Sequence, residues 1–311
     1  MLRRLLVGSF VAVFGFSVLF SAVPALCLAA ADPCALQHPL DPPDKELQGQ
    51  CLNCGMGRPM WARTWMTYEN SQGASEVCSF HCLADIAIKS GEDPRNVMVA
   101  EYTEPGRMTP AENASFVVGS KAKGTMTMTS KIAFVSAEEA QKFAQTCDGK
   151  VMTYSEVLAL AKESISKENK AINERRIKTG KIVEPVDNKD ECIVCKMYPA
   201  RYPNNKCQLQ TQDGEVYHFC STQCLFAFLS NSAKYATTEV KPAMVWTVDY
   251  PTGTWIGSKT AYYVVGSKTQ GPMGPEAFVF DRLEEAKSFA AKEGGEVLTM
   301  KEVTPDRIMA K

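Results

Sequence analysis

Cysteine recurs in this sequence at spacings able to hold a metal ion. Cys51-x-x-Cys54 leads into Met56 and is followed further on by Cys78-x-x-x-Cys82, and Cys192, Cys195, Met197, Cys220 and Cys224 repeat the set. A pair three apart can clamp one ion from a turn, and a pair four apart shares one helical face, so four thiolates can converge. Four thiolates suit structural zinc, whereas thioether sulfur is a soft donor that shifts preference towards Cu(I). Met56 and Met197 stand two residues beyond the second cysteine of their pairs. Met273 lies in Gly271-Pro-Met-Gly-Pro275, a tight loop that presents its side chain, and the first half has Met126 and Met128 at the corresponding place, Gly124-Thr-Met-Thr-Met128. A methionine is commonly core filler, so it is recurrence at matched positions that makes these candidates. The candidate ligands are therefore Cys51, Cys54, Met56, Cys78, Cys82 and Met126 in the first half, and Cys192, Cys195, Met197, Cys220, Cys224 and Met273 in the second. His81 precedes Cys82 by one residue and His218 precedes Cys220 by two, while His38 lies in a Pro-rich leader. Because the histidines do not align between halves, they are set aside as ligands.

The elements that must position these sulfurs come in duplicate. The first groups are offset by 141 residues (192 minus 51) and the second by 142 (220 minus 78), the mark of a repeated domain. Phe116-Val-Val-Gly-Ser120 matches Tyr263-Val-Val-Gly-Ser267, Ala133-Phe-Val135 matches Ala277-Phe-Val279, and Glu138-Glu-Ala140 matches Glu284-Glu-Ala286. The domains are placed at 45–160 and 190–304. Hydrophobic periodicity in the first predicts strands over 60–68 and 75–80, a helix over 81–89 and a strand over 96–102. It then predicts strands over 115–118 and 131–135, a helix over 137–147 capped by Ser136, and a strand over 151–154. The second copy repeats the order, its last helix over 284–293 stopped by Gly294-Gly295. The fold class is α+β, each domain holding two ββαβ units. Between the domains, the linker 161–189 is charged, with a helix over 155–178 ending at Gly180. Its composition fits equally a solvated spacer and a surface helix packed on its own domain.

At 311 residues the chain has room for two domains, and 45% apolar residues supply two cores. A net charge of -1 offers no attraction to phosphate backbones, which argues against nucleic acid as a partner. Residues 1–31 have the plan of an export signal: Arg3 and Arg4, an apolar core from Leu5 to Phe20, and Ala29 to Ala31 for cleavage. Cys27 follows Leu26, too bulky for the usual lipidation motif. The apolar stretch is just long enough to persist as a membrane tether. The remainder of the chain is expected to be periplasmic or otherwise extracytoplasmic, where thiols tend to oxidise.

The blocks Cys51-Leu-Asn-Cys-Gly-Met56 and Cys192-Ile-Val-Cys-Lys-Met197 resemble the opening motif of the NosL family, copper accessory proteins of nitrous oxide reductase assembly. Val248-Asp-Tyr-Pro-Thr-Gly-Thr-Trp-Ile256, Ala261-Tyr-Tyr-Val-Val-Gly-Ser267 and Pro272-Met-Gly274 resemble the family's strand and loop motifs. The resemblance covers most of the chain outside leader and linker. It implies Cu(I) binding and paired ββαβ units related to the C-terminal region of organomercurial lyase. The strand-helix cysteines also resemble the metal-sensing TRASH pattern. The tandem arrangement and the absence of a lipidation motif depart from the family pattern. The implied role is a carrier that exchanges copper with donor and recipient proteins, nitrous oxide reductase maturation among them, and not an enzyme. Two other readings remain: a structural module held by zinc or disulfides, and a thiol oxidoreductase or organomercurial-lyase-like enzyme. Thioredoxin-type chemistry needs its Cys-x-x-Cys at a helix N-terminus, and Pro59 with the residues after it predicts turn and strand instead.

Overall fold

The computed structural model describes Asp32 and residues 34–310; the export segment 1–31, Cys27 included, lies outside the described residues. A one-turn helix α1 (Arg58–Trp61) leads into β1 (Met66–Asn70), β2 (Gly73–Val77), α2 (Phe80–Ser90) and β3 (Arg95–Ala100), with β4 (Met108–Pro110) at the edge. A second unit comes next: β5 (Ser115–Val118), β6 (Lys131–Phe134), α3 (Ala137–Cys147) and β7 (Lys150–Met152). Beyond the long helix α4 (Tyr154–Lys178) come β8 (Cys207–Thr211), β9 (Val216–Phe219), α5 (Thr222–Ser230) and β10 (Pro242–Val248), edged by β11 (Trp255–Gly257). The last unit is β12 (Tyr262–Val265), β13 (Phe278–Phe280), α6 (Leu283–Glu293) and β14 (Glu296–Thr299), with α7 (Pro305–Met309) after it.

All four units share one wiring. The first two strands form a hairpin, the helix crosses over, and the third strand returns antiparallel to the first, which is therefore central: β2-β1-β3-β4, β6-β5-β7, β9-β8-β10-β11 and β13-β12-β14. The α+β class and the two tandem pairs of ββαβ units are as the sequence predicts. Three local expectations change. Residues 60–65 are not strand, because Pro59 sits in the first turn of α1 and fixes a helical φ there; β1 starts at Met66. Tyr154 belongs to α4 and not to a strand, since Thr153 and Glu156 form a reciprocal capping box that starts the helix. The counterpart of Ala133 is Val279 and not Ala277, because Phe116 pairs with Ala133 and Tyr263 with Val279. A slip of two residues preserves which side chains face inward, so hydrophobic pattern alone could not detect it.

The helix between the domains is packed, not solvated. Val157, Leu158, Ala161 and Ile165 are buried in the core shared with α2 and β1. The same stripe continues at four-residue spacing with polar side chains. Asn169 donates to Asp85 Oδ1 (2.8 Å) and Asn173 to the Trp255 carbonyl (2.9 Å), one turn after the other. The helix thus lies along the first domain and touches the second, instead of holding the two apart. Across the contact, the buried Lys89 pairs with Asp85 (2.9 Å) and with Asp281 (3.0 Å) of the second domain. Cys34 and Cys147 form a disulfide that ties the leader to the end of α3, and nine other described cysteines are free. No helix among the described residues is long and apolar enough to cross a membrane.

Glu168 fixes α4 to the first domain, accepting hydrogen bonds from His81 Nδ1 (2.6 Å) and Thr127 Oγ1 (2.7 Å) with Lys131 Nζ at 3.7 Å. Burial would raise its carboxyl, but the His81 and Thr127 bonds and the Lys131 charge hold it at about 2. A folded-state value below the unfolded one contributes stability above the ordinary carboxylate range and loses it as pH falls. Urea unfolding measured from neutral pH down to about pH 3 should therefore show stability falling below about pH 4.5, the ordinary Glu range. Glu168→Gln should be less stable at neutral pH and show a flatter acid limb.

Candidate metal centres

Each Cys-x-x-Cys-x-Met segment is a closed turn. Cys51 N donates to Met56 O (2.8 Å) and Gly55 N to Cys51 O (2.9 Å), and Cys192 N donates to Met197 O (2.7 Å) and Lys196 N to Cys192 O (2.9 Å). The fifth position of the turn is left-handed in both copies, with φ +76° at Gly55 and +65° at Lys196. One further backbone bond docks each turn on its hairpin, Leu52 N to Glu76 O (3.0 Å) and Ile193 N to His218 O (3.2 Å). β2 ends at Val77 and β9 at Phe219, so Cys78 and Cys220 emerge directly beneath the docked turns. Ser79 and Ser221 occupy the N-cap positions, which places Cys82 and Cys224 in the first turns of α2 and α5.

The result is two quartets. In each, one sulfur from every cysteine lies within 4.8 Å of all the others: Cys51, Cys54, Cys78, Cys82, and Cys192, Cys195, Cys220, Cys224. Cys78 Sγ is 3.5 Å from Cys54 Sγ and 3.7 Å from Cys82 Sγ, and Cys220 Sγ is 3.3 Å from Cys195 Sγ and 3.8 Å from Cys224 Sγ. Three members of each quartet are buried, while Cys54 and Cys195 are half-exposed. Four thiols packed this closely cannot all ionise without a cation. Hydrogen bonds from Cys220 and Cys224 bring the Cys192 thiol far down despite burial, and Cys51, which burial alone would raise, is brought down by bonds from Cys54, Cys78 and Cys82. The donors move the other way: Cys78 and Cys82 are pushed up by their bonds to Cys51, and Cys220 and Cys224 by theirs to Cys192. A soft cation entering either quartet would replace S–H protons.

The methionines are placed less uniformly. Met56 and Met126 pack against the core that holds Cys51, Cys78 and Cys82, and Met197 packs against the core that holds Cys192, Cys220 and Cys224. Met126 has φ +62°. Met273 is 37% exposed in the turn closed by the Gly271–Gly274 bridge, and Met128 is almost fully exposed. The three histidines sit outside both quartets. Sequence reasoning passed over Cys207, a buried thiol at the start of β8 in the core of the second quartet, which donates to Asn205 O (3.4 Å). The Cys-x-x-Cys turns do not stand at helix N-termini: α1 begins only at Arg58, and after Cys195 the next helical turn begins at Pro199.

The NosL family model matches residues 46–160 and again residues 183–308. The chain belongs to the NosL family. It is 30% identical over 131 residues to a copper-binding lipoprotein NosL of Stutzerimonas stutzeri, covering 39% of this chain and 66% of that one. Over 58 residues it is 43% identical to a copper-binding lipoprotein NosL of Achromobacter cycloclastes, covering 18% of this chain and 30% of that one. It therefore spans just under two thirds of one relative and about a third of the other. The crystal structure of the copper chaperone NosL from Shewanella denitrificans aligns with 40% of this chain and 96% of its own at 30% identity, with a TM-score of 0.35.

The two NosL repeats differ in what surrounds their quartets. In the first, buried Asp85, one turn beyond Cys82 on α2, accepts from Asn53 of the Cys-x-x-Cys turn (3.0 Å) and from Asn169 of α4 (2.8 Å) while pairing with Lys89. The same position in the second repeat is Ala227, which can do none of this. Asp85→Ala should leave Lys89 buried with only Asp281, and removing one partner of a buried pair costs roughly 3–5 kcal/mol. Urea unfolding should register that loss. The reciprocal change Ala227→Asp should bring no gain, since no matching lysine stands at Asn231.

Proposed function

We propose that each NosL repeat captures one Cu(I) ion on its cysteine quartet and passes it on by ligand exchange. The observation that carries this reading is the distribution of exposure. Three buried thiols hold the ion from below, and one half-exposed thiol, Cys54 or Cys195, stands where a partner's sulfur can reach. A cuprous ion engages only two or three of these sulfurs at a time and so leaves an open side, where the incoming thiol or thioether can bond before the rim cysteine lets go. No general base and no change of oxidation state are needed, which makes this a carrier and not a catalyst. The soft thioethers of Met56 and Met197 beside the quartets favour Cu(I) over harder ions, and the relatives are themselves called copper-binding lipoproteins and a copper chaperone.

The site of action is placed outside the cytoplasm. The lipoprotein relatives support this, as does the Cys34–Cys147 disulfide, a bond that persists in oxidising compartments. Residues 1–31 would then serve as export signal or membrane tether. The recipient is taken to be an extracytoplasmic copper enzyme such as nitrous oxide reductase, on the family resemblance.

Zinc is the second reading, and sulfur spacing favours it. An ion about 2.3 Å from four sulfurs sets them about 3.8 Å apart, close to the 3.3–3.8 Å separations found. The two readings separate in an anaerobic titration of the full chain against a competing chelator. The copper reading expects two Cu(I) per chain, held against excess Zn(II). Met56→Leu with Met197→Leu, a volume-conserving change, should narrow that selectivity. Cys54→Ser with Cys195→Ser should weaken Cu(I) binding at both centres by more than about tenfold with the fold unchanged. Preferential retention of Zn(II), indifferent to the leucine changes, would establish the structural reading instead.

A further inference from the structure

The turn that carries the first quartet's cysteines is covered by the second repeat. Asn53 Oδ1 accepts from Thr260 Oγ1 (3.3 Å), Gln50 Oε1 from Lys259 Nζ (3.3 Å), and a Cβ on Gly257 would lie 3.4 Å from the Asn53 carbonyl. Met244 on β10 also reaches this turn. A Cβ built on Gly55 would stand 2.8 Å from Met244 Sδ, so the thioether rests directly on the residue between Cys54 and Met56. The left-handed φ does not by itself account for glycine here, because the second repeat adopts the same conformation with Lys196. What glycine adds at position 55 is room for the sulfur of Met244.

β10 is suited to such a task because its two faces belong to different clusters, only one of which holds a quartet. Val245 belongs to the core that holds the second quartet. Met244, Trp246 and Val248, the alternate residues, pack with Ile182 and Trp255 on the opposite face. Over Trp246 lies the guanidinium of Arg176, 4.5 Å from the ring centroid. The same guanidinium donates to Asn173 Oδ1 (3.0 Å) on α4, so Met244 approaches the first repeat in company with a cation. No methionine occupies the corresponding place in the first repeat, where β3 carries Asn96.

We propose that Met244 supplies a thioether ligand from the second repeat to the metal ion of the first, so that the first centre is completed across the domain contact while the second centre relies on its own repeat. This rests on the Cu(I) reading above. Its consequence is an ordered pair of sites. The first holds copper more tightly, whereas the second, completed by no residue of the other repeat, holds it less tightly.

The test uses the full chain, labelled with [13C-methyl]methionine, in a background where Cys195→Ser and Cys220→Ser confine metal to the first centre. One equivalent of Cu(I) added anaerobically should shift the Met244 methyl resonance, assigned by its absence in Met244→Leu. Chelator competition should show Met244→Leu weakening the first centre by no less than the roughly 10–100-fold that accompanies loss of a residue merely orienting a ligand. Gly55→Lys, which copies the second repeat's own residue, should weaken it likewise by displacing the thioether. In the converse background, Cys54→Ser with Cys78→Ser, Met244→Leu should leave the second centre's affinity unchanged. A Met244 methyl that does not move, with unchanged affinity in Met244→Leu, would overturn the proposal while leaving copper binding intact. A first-centre background that takes up no Cu(I) at all would overturn the copper reading on which it rests.

Discussion

Everything at the two centres depends on one backbone hydrogen bond made twice, from Leu52 N to Glu76 O and from Ile193 N to His218 O. Each docks a closed Cys-x-x-Cys-x-Met turn on the last residues of a hairpin strand. The strand end and the helix start beyond it then deliver the other two cysteines to the same point. The bond engages main-chain atoms only, so it leaves the side chains free to diverge, as Leu52 and Ile193 or Glu76 and His218 have done. What must persist is the pair of residues that separates Val77 or Phe219 from the first helical turn, an interval kept in both repeats, while the stretch from turn to strand end is one residue longer in the second.

Around that shared frame, the repeats have taken different surroundings. The first quartet is enclosed by α4 and by the second repeat, through Asp85, Lys89 and Asn53. These are costly groups to bury, and they are stable only as a fully satisfied set. The second quartet lies in an aromatic setting, where Phe219, Phe228 and Tyr217 pack at tilted angles, and Ala227 takes the place of the acidic hub. Two quartets of the same composition thus differ in the polarity of their surroundings. That difference is what a chain needs if copper is to pass in one direction rather than sit at equal depth in both halves.

The quartets themselves were legible in the sequence, because cysteine spacing survives duplication and has few structural explanations. The ββαβ wiring was legible from alternation and from the repeat. Three things were not. The one-turn helix at Pro59 and the start of α4 at Tyr154 turn on capping, which periodicity does not see. The β6 and β13 pairing differs by two residues from the apparent alignment, a shift that leaves the inward pattern intact. The placement of α4 was hidden because only the first half of its buried stripe is apolar. The second half, Asn169, Asn173 and Arg176, faces inward with polar atoms whose partners lie far away in the chain. For the same reason nothing in the sequence singled out Met244, whose significance depends on what glycine leaves open at position 55.

The most direct measurement of the central claim is native mass spectrometry of the copper-loaded full chain, prepared anaerobically, combined with alkylation of its thiols after metal removal. A two-centre copper carrier should show two copper ions per chain, each binding with loss of protons. It should also show one disulfide, between Cys34 and Cys147, with the nine other described cysteines free to alkylate. A chain that arrives without metal and with Cys51, Cys54, Cys78 and Cys82 or their counterparts paired as disulfides would contradict it.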